Sequence, residues 1–182
     1  MPVVDDFSLE ELDVMRGVSG LPIDELSLAV ASNLWRAAQL FKLKTEREVL
    51  REHDLSFASF STLFIVWIWG PIETRDIARS QSVSKATITS LVSGLEKRAL
   101  LKRRAHKTDR RLVIVELTAQ GKTLIEWVFP RFNQGESEIA NTLTVAEQDT
   151  LTHLLRKLVA GIHAQLETSN PASPSSQPEE TP

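Results

Sequence analysis

The segment Ser82 to Leu117, SVSKATITSLVSGLEKRALLKRRAHKTDRRLVIVEL, constrains this chain more than any other. In its first part Ile88, Leu91, Val92 and Leu95 fall at i, i+3, i+4 and i+7. That is a single apolar stripe on a helix, and it must be buried against other elements. Ser84 stands where a helix N-cap belongs, since its hydroxyl can accept a free first-turn N–H. The opposite face holds Ala86, Thr89, Ser90, Ser93 and Lys97, with Thr87 and Gly94 at its edges, and nearly all of these are small. Further on, 101–105 and 112–117 read as strands, the second with Val113, Ile114 and Val115 in a row. The connection through His106, Lys107, Thr108, Asp109 and Arg110 is too long and too charged for a minimal turn, so it should protrude as a wing.

Upstream, Ile72 to Ser80 reads as a short helical stretch, and Gln81, Ser82 and Val83 join it tightly to Ser84. Two short helices with such a joint make a helix-turn-helix pattern. A helix faced with short side chains can sit deep in a DNA major groove about 12 Å wide. There Ala86 or a Thr methyl can meet a thymine methyl, and hydroxyls can reach base edges or phosphates. Lys85, in the first turn, adds an ammonium to a helix N-terminus that already attracts phosphate. A merely solvated Ser/Thr-rich face would look the same in isolation. Charge favours the DNA reading. From Glu73 to Arg111 there are eleven Lys/Arg against four Asp/Glu, in a chain whose net charge is −3. A basic block inside an acidic protein supplies the salt-dependent attraction that drives DNA association. A charged, solvated hairpin is the blander alternative. The expected DNA-binding residues are Arg75, Ser82, Ser84, Lys85, Ala86, Thr87, Thr89, Ser90, Arg104, Lys107, Asp109, Arg110 and Arg111.

On SKATITSLVSGLEKRALL, on DRR at 109–111 and on LTAQG at 117–121, the chain resembles the MarR (multiple antibiotic resistance regulator) family of winged helix-turn-helix transcription factors. The resemblance extends over roughly residues 24 to 165. It implies that residues matching Ser84 to Ser90 read bases, that Arg110 or Arg111 reaches the minor groove, and that Asp109 pairs with a wing arginine. There are three departures. Ser90 stands where many members have arginine, Gly94 where relatives often have a charged residue, and Ala99 where the residue after the recognition helix is usually glycine. The first two bear on the target sequence. The third sits at a helix C-terminus that often needs a left-handed residue, so local strain or a different exit is expected.

The expected fold is mainly α with a small β-hairpin wing: a winged helix-turn-helix domain plus a helical dimerisation region. Residues 1–22 read as a leader with a possible short helix from Ser8 to Arg16, opened by the capping box SLEE. Residues 23–167 form the main domain, with the DNA-binding part at about 56–117, and 168–182 is a Pro/Ser-rich tail expected to be disordered. A long helical stretch covers Asp24 to His53, with a second cap expected at Thr45 with Glu48. A very apolar helix covers Ser56 to Trp69 and stops at Gly70-Pro71. Thr118 should cap a long helix bent at Pro130, and Thr144 with Glu147 should cap the last, to about Leu166. That last helix carries Leu151, Leu154, Leu155, Leu158 and Ile162 as a wide apolar stripe. One small winged domain has too little surface to bury it, and the family makes its dimer with the terminal helices, so a homodimer on an inverted-repeat operator in double-stranded DNA is expected.

Family members commonly bind a small molecule between their dimerisation helices and their winged part. Trp35, Phe60, Phe64, Trp67 and Trp127, with Phe41 and Trp69 beside them, are the aromatics available for such a cleft, and Arg36 could hold an acidic group. An aromatic acid or an acyl-CoA is the fitting effector; plain core packing is the other account of the same rings. The chain has no cysteine, which excludes disulfides, thiolate zinc sites and cysteine redox sensing. His53, His106, His153 and His163 show no metal-ligand spacing, and GxSxG, HExxH and glycine-rich phosphate motifs are absent from the sequence. Neither an enzyme, nor a cofactor, nor a metal is expected. The start of the sequence is acidic and does not read as a signal peptide, and no run is long and apolar enough to span a bilayer, so a cytoplasmic bacterial regulator, commonly a repressor, is expected. A winged module used only for protein contacts, without a ligand, is the alternative from another class.

Overall fold

Seven side chains of the buried core, Ile77, Ala78, Ile88, Val92, Leu95, Leu101 and Val115, come from two successive helices and the strand hairpin that follows them. The computed structural model describes residues 9–105 and 112–169. The elements are α1 (Leu9–Gly17), α2 (Glu25–Thr45), α3 (Phe57–Trp69), β1 (Ile72–Glu73), α4 (Thr74–Ser80), α5 (Lys85–Lys97), β2 (Leu101–Ala105), β3 (Val113–Leu117), α6 (Ala119–Ala140) and α7 (Val145–Ser169). The chain divides after Gly135 into two compact units.

In the first unit, α5 buries Ile88, Val92 and Leu95, with Leu91 only partly covered, as the helical spacing requires. They meet Leu63 and Val66 of α3, Ile77 of α4, Leu101 of β2, Val115 of β3, and Ile125, Val128 and Phe132 of α6 in one cluster. The sheet is antiparallel in the order β1-β3-β2, with Leu101 opposite Leu117 and Ala105 opposite Val113.

Local structure departs from the sequence reading in three places. Ile72 and Glu73 are not helical: they form β1, with Ile72 opposite Val115. Pro71 holds the entry extended, and the free edge of β3 accepts the strand. Thr45 does not re-cap a helix. It is buried in helical geometry, and its hydroxyl donates to the carbonyls of Phe41 and Lys42. The helix instead loosens into a π-helical turn at Glu46–Leu50 and then tightens into a 3-10 turn at Arg51–His53. The Glu46 carboxylate so placed accepts the Phe57 N–H at 2.7 Å, and Ser56 accepts from Ser59, so two side chains cap α3. Finally, α7 continues through Ser169, past the Thr168 at which the tail was expected to begin. Ser8, the expected cap of α1, lies outside the described residues.

Three turns use the same C-terminal motif on non-glycine residues. At Asp54, Ser82 and Ala99 φ is +51°, +52° and +55°. In each, the following amide reaches back five residues: Leu55 to Leu50, Val83 to Ala78, Leu100 to Leu95. This is a Schellman closure, with an apolar pair tucked inside. Ala99 therefore keeps the left-handed exit and carries strain there. Immediately beyond, Thr118 caps α6 by accepting from the Gly121 N–H, and it donates to the Ala99 carbonyl. Pro130 lies inside α6.

The second unit, from Glu136, contains the end of α6, a short turn and α7. Thr144 and Glu147 form the reciprocal capping box: the Thr144 N–H donates to Glu147 at 2.8 Å, and the Glu147 N–H to the Thr144 hydroxyl at 3.4 Å. The Thr144 hydroxyl and N–H hold the Glu147 carboxyl below its ordinary range. Leu151, Leu154, Leu158 and Ile162 are all exposed on α7.

Gly121 and Ala99 give a matched pair of tests. A Cβ on Gly121 would overlap the Leu100 carbonyl, so Gly121→Ala should cost about 1–3 kcal/mol. Ala99→Gly should relieve the left-handed strain and raise stability by about 1 kcal/mol. Urea denaturation of the two variants reads both signs.

Candidate nucleic-acid interface

Helix α5 is presented by the turn that precedes it. The left-handed Ser82 reverses the chain between α4 and α5. The Gln81 side chain donates to the buried Thr62 hydroxyl of α3 at 2.8 Å, which ties the turn to the core. Ser84 then caps α5, accepting the Thr87 N–H at 3.1 Å. With Ile88 and Val92 fully buried, the helix can expose only one face. Lys85, Ala86, Thr87, Thr89 and Ser90 are all exposed on it. Thr87 shares a hydrogen bond with Ser84, and the Thr89 hydroxyl donates to the Lys85 carbonyl. Ser93, expected on the same open face, is half-buried instead and is engaged by Arg103.

The basic residues divide by what they touch. Arg75 pairs with the largely buried Glu73 carboxylate at 2.7 Å, and Arg79 with Asp76 at 3.2 Å. On the hairpin, Lys102 and Arg104 both pair with Glu116, at 3.0 and 3.2 Å. Arg98, at the end of α5, donates to the Asp54 carbonyl at 2.7 Å and the His53 carbonyl at 2.6 Å. It thereby fastens α5 to the joint between α2 and α3. Arg103 reaches α5 itself. Nothing in the residue order distinguishes Arg103 from its two basic neighbours except strand alternation, which puts it on the side of Leu101. Lys107, Asp109, Arg110 and Arg111 lie outside the described residues.

The aromatics fall into separate groups. Phe60 is only 4% exposed and stacks on Phe132 at 4.2 Å, so it is a core ring and not the wall of an open cleft. Phe64 stacks on Phe129 at 5.1 Å, with Trp67 leaning on the same ring at 5.5 Å. Trp127 meets the edge of His53 and lies under the Arg131 guanidinium, 3.4 Å from the ring centroid. Trp35 is 67% exposed on α2, and Arg36 follows it on the same helix. An open hollow of about 450 Å³ is lined by Val66, Trp67, Gly70, Pro71, Glu116, Leu117, Lys122 and Glu126. Of the residues expected to hold a ligand, Trp67 is on its wall.

A capped helix with a small exposed face, held beside a basic antiparallel hairpin, defines a winged helix-turn-helix DNA-binding protein. Comparison with known proteins agrees. Residues 55–113 match the model of the MarR family. The chain is 40% identical over 157 residues to YwaE of Bacillus subtilis (strain 168), an uncharacterized HTH-type transcriptional regulator, covering 85% of this chain and 92% of that protein. It is 31% identical over 106 residues to the HTH-type transcriptional repressor NicR of Pseudomonas putida, covering 58% and 67%. Among solved structures, BpsR of Bordetella bronchiseptica, whose DNA binding is regulated by 6-hydroxynicotinic acid, superposes with a TM-score of 0.66 at 27% identity, covering 72% and 98%. The S. aureus MepR-DNA complex shares the fold, with a TM-score of 0.66 at 23% identity, covering 71% and 96%. The chain belongs to the MarR family. It is a DNA-binding transcriptional regulator and not an enzyme. Among the described residues, no helix is long and apolar enough to cross a membrane.

The Glu116 pairs carry a pH dependence. Hydrogen bonds from Lys102 and then Arg104 hold the Glu116 carboxyl below the ordinary 4.5. A lowered folded-state value contributes stability that is present above the ordinary value and is lost as pH falls through the lowered one. The stability difference between the wild type and Glu116→Gln should therefore be constant above about pH 5.5 and vanish in acid. Thermal unfolding of both proteins across pH 2.5 to 7, roughly spanning the carboxylate range, checks this.

Proposed function

We propose that this regulator is a homodimeric repressor that binds an inverted-repeat operator and is released by a small acidic ligand. The observation that carries the DNA reading is the α5 surface, where a stripe with Ile88, Val92 and Leu95 buried backs an exposed face of small residues. Lys85, Ala86, Thr87, Thr89 and Ser90 of that face enter the major groove, with Ser84 and Ser82 at its mouth. Arg75, Arg104 and Lys107 face the phosphates. Arg110 and Arg111, shaped by Asp109, extend the wing to the minor groove. The dimer reading is supported by the exposed apolar residues of α7 and by Leu26, Val30 and Leu34 on α2, which share one side of that helix and are also exposed. Residues 23–167 form the working domain, and the protein acts in the cytoplasm, on the chromosome.

A two-fold dimer sets its recognition helices about 34 Å apart, one turn of DNA. Footprinting of the full chain on DNA selected from its own genomic neighbourhood should reveal two symmetric half-sites at that spacing. Protection of one asymmetric half-site would rule the dimer reading out. Ser90→Glu should abolish operator binding with thermal stability unchanged, because it puts bulk and negative charge at the centre of the groove face. Val92→Glu should instead unfold the domain, because it buries an unpaired charge. Replacing Arg110 and Arg111 with Ala should lower the slope of log affinity against log salt by about one or two.

Repression follows the similar protein NicR, a repressor, and an aromatic acid or its coenzyme A thioester is the effector proposed on the analogy of BpsR and 6-hydroxynicotinic acid. The binding region takes in Trp35, Arg36, Phe64, Trp67 and Trp127, with Phe60 supporting them from the core. By linkage the ligand binds free protein more tightly than DNA-bound protein, by the same factor that it weakens DNA binding. Titration with aromatic acids, followed by Trp fluorescence and by operator release, should give one midpoint in both measurements. Quenching without release would end the switch reading.

A further inference from the structure

We infer that Arg103 is a positioning residue for DNA recognition: it sets where the hairpin stands against α5, and it does not itself neutralise a phosphate. The inference rests on the DNA-binding reading above and deepens it.

In sequence, Lys102, Arg103 and Arg104 are three adjacent cations in a basic hairpin, and all three invite a phosphate role. The fold separates them. Lys102 and Arg104 point to one side of β2, where they share Glu116, with side chains 60% and 41% exposed. Arg103 points to the other side, toward α5, and is 29% exposed. One of its terminal nitrogens donates to the Ser93 hydroxyl at 2.6 Å and the Thr89 carbonyl at 3.0 Å. The other pairs with Glu96 at 3.3 Å. Ser93 passes the chain on, donating to the same Thr89 carbonyl at 2.7 Å. The guanidinium thus grips about two turns of α5, from Thr89 to Glu96, and both of its terminal nitrogens are engaged there.

This geometry has two consequences. Ser93 is removed from the readable face, which narrows to the first two turns of α5. The hairpin is also fixed sideways against the recognition helix. Five residue pairs hold β2 to β3, but register along the strands says nothing about where the whole hairpin leans. A planar fork with fixed donor directions sets that lean, and a lysine, whose ammonium is a point charge on a flexible stem, does not. Major-groove and wing contacts must be made at once, so the lean decides whether a true operator gains over random DNA.

The test uses the full chain with two duplexes of equal length, the selected operator and a scrambled sequence. Arg103→Ala should weaken operator binding by about tenfold and scrambled binding by under about threefold. Its salt slope should match the wild type. Lys85→Ala is the contrast and should lose about 0.9 of slope. Arg103→Lys should resemble Arg103→Ala on the operator despite its kept charge. A slope loss near 0.9 in Arg103→Ala, equal weakening on both duplexes, or full operator binding by Arg103→Lys would each overturn the inference. A second measurement needs no DNA. Hydrogen exchange of the β2 and β3 amides in free Arg103→Ala should speed up by about tenfold, with α7 unchanged. Unchanged exchange in the hairpin also overturns it. If the wild type binds neither duplex with a steep salt slope, the DNA-binding reading has failed instead, and hydrogen exchange still judges the strand-to-helix link.

Discussion

The backbone of Leu100 is the point on which the DNA-binding half of this molecule turns. Its N–H closes the end of α5 by reaching the Leu95 carbonyl at 3.0 Å. Its carbonyl accepts the Thr118 N–H at 3.1 Å, where β3 passes into α6. Gly121 lies so close over that carbonyl that no side chain fits between them. The Leu100 side chain is itself buried in the core. Three elements therefore meet at one residue through backbone contact, which is less forgiving than side-chain packing because backbone cannot change rotamer. The recognition helix leaves this point at a fixed angle, and the hairpin starts from it.

From that anchor the helix is held again at either side by arginines. Arg98 draws its C-terminal end onto the carbonyls of His53 and Asp54, where the long α2 gives way to α3. Arg103 draws the hairpin onto its middle. Both are charge-assisted hydrogen bonds from a planar guanidinium, whose donor directions are fixed. Arg98 connects the recognition helix to the α2 joint, so a displacement of α2 has a short mechanical route to α5. The π-helical turn at Glu46–Leu50 lies in that joint, and Glu46 within it caps α3.

Much of this was legible in the residues, and for local reasons. A cap needs only a hydroxyl or carboxylate at the right offset, so Ser84, Thr118 and the Thr144/Glu147 box were readable directly. The α5 stripe was readable because helical periodicity depends on spacing alone. Thr45 misled because a Thr three residues before a Glu has the same pattern whether its hydroxyl caps forward or bonds back to Phe41. Ile72 and Glu73 misled because a two-residue strand has no periodicity; only the open edge of β3 makes it one. The aromatics stayed ambiguous in the sequence because a ring in a core and a ring in a cleft have the same composition, and burial alone separates Phe60 from Trp35.

The sequence by itself determined the class of protein. Its helix pair, basic hairpin and long apolar terminal helices are set by spacing and charge, which are properties of the linear chain. At Ala99 it left two outcomes open, local strain or a different exit, and the fold took the left-handed exit. The tertiary structure alone decided which cations are spent and which are available. Strand alternation separates Arg103 from Lys102 and Arg104, but the partner of each is fixed only when β2 packs against α5 and β3, because an ion pair depends on distance in space and not along the chain. It likewise decided that Gly121 must be glycine. That requirement comes from the Leu100 carbonyl, twenty-one residues earlier in the chain and in direct contact in the fold.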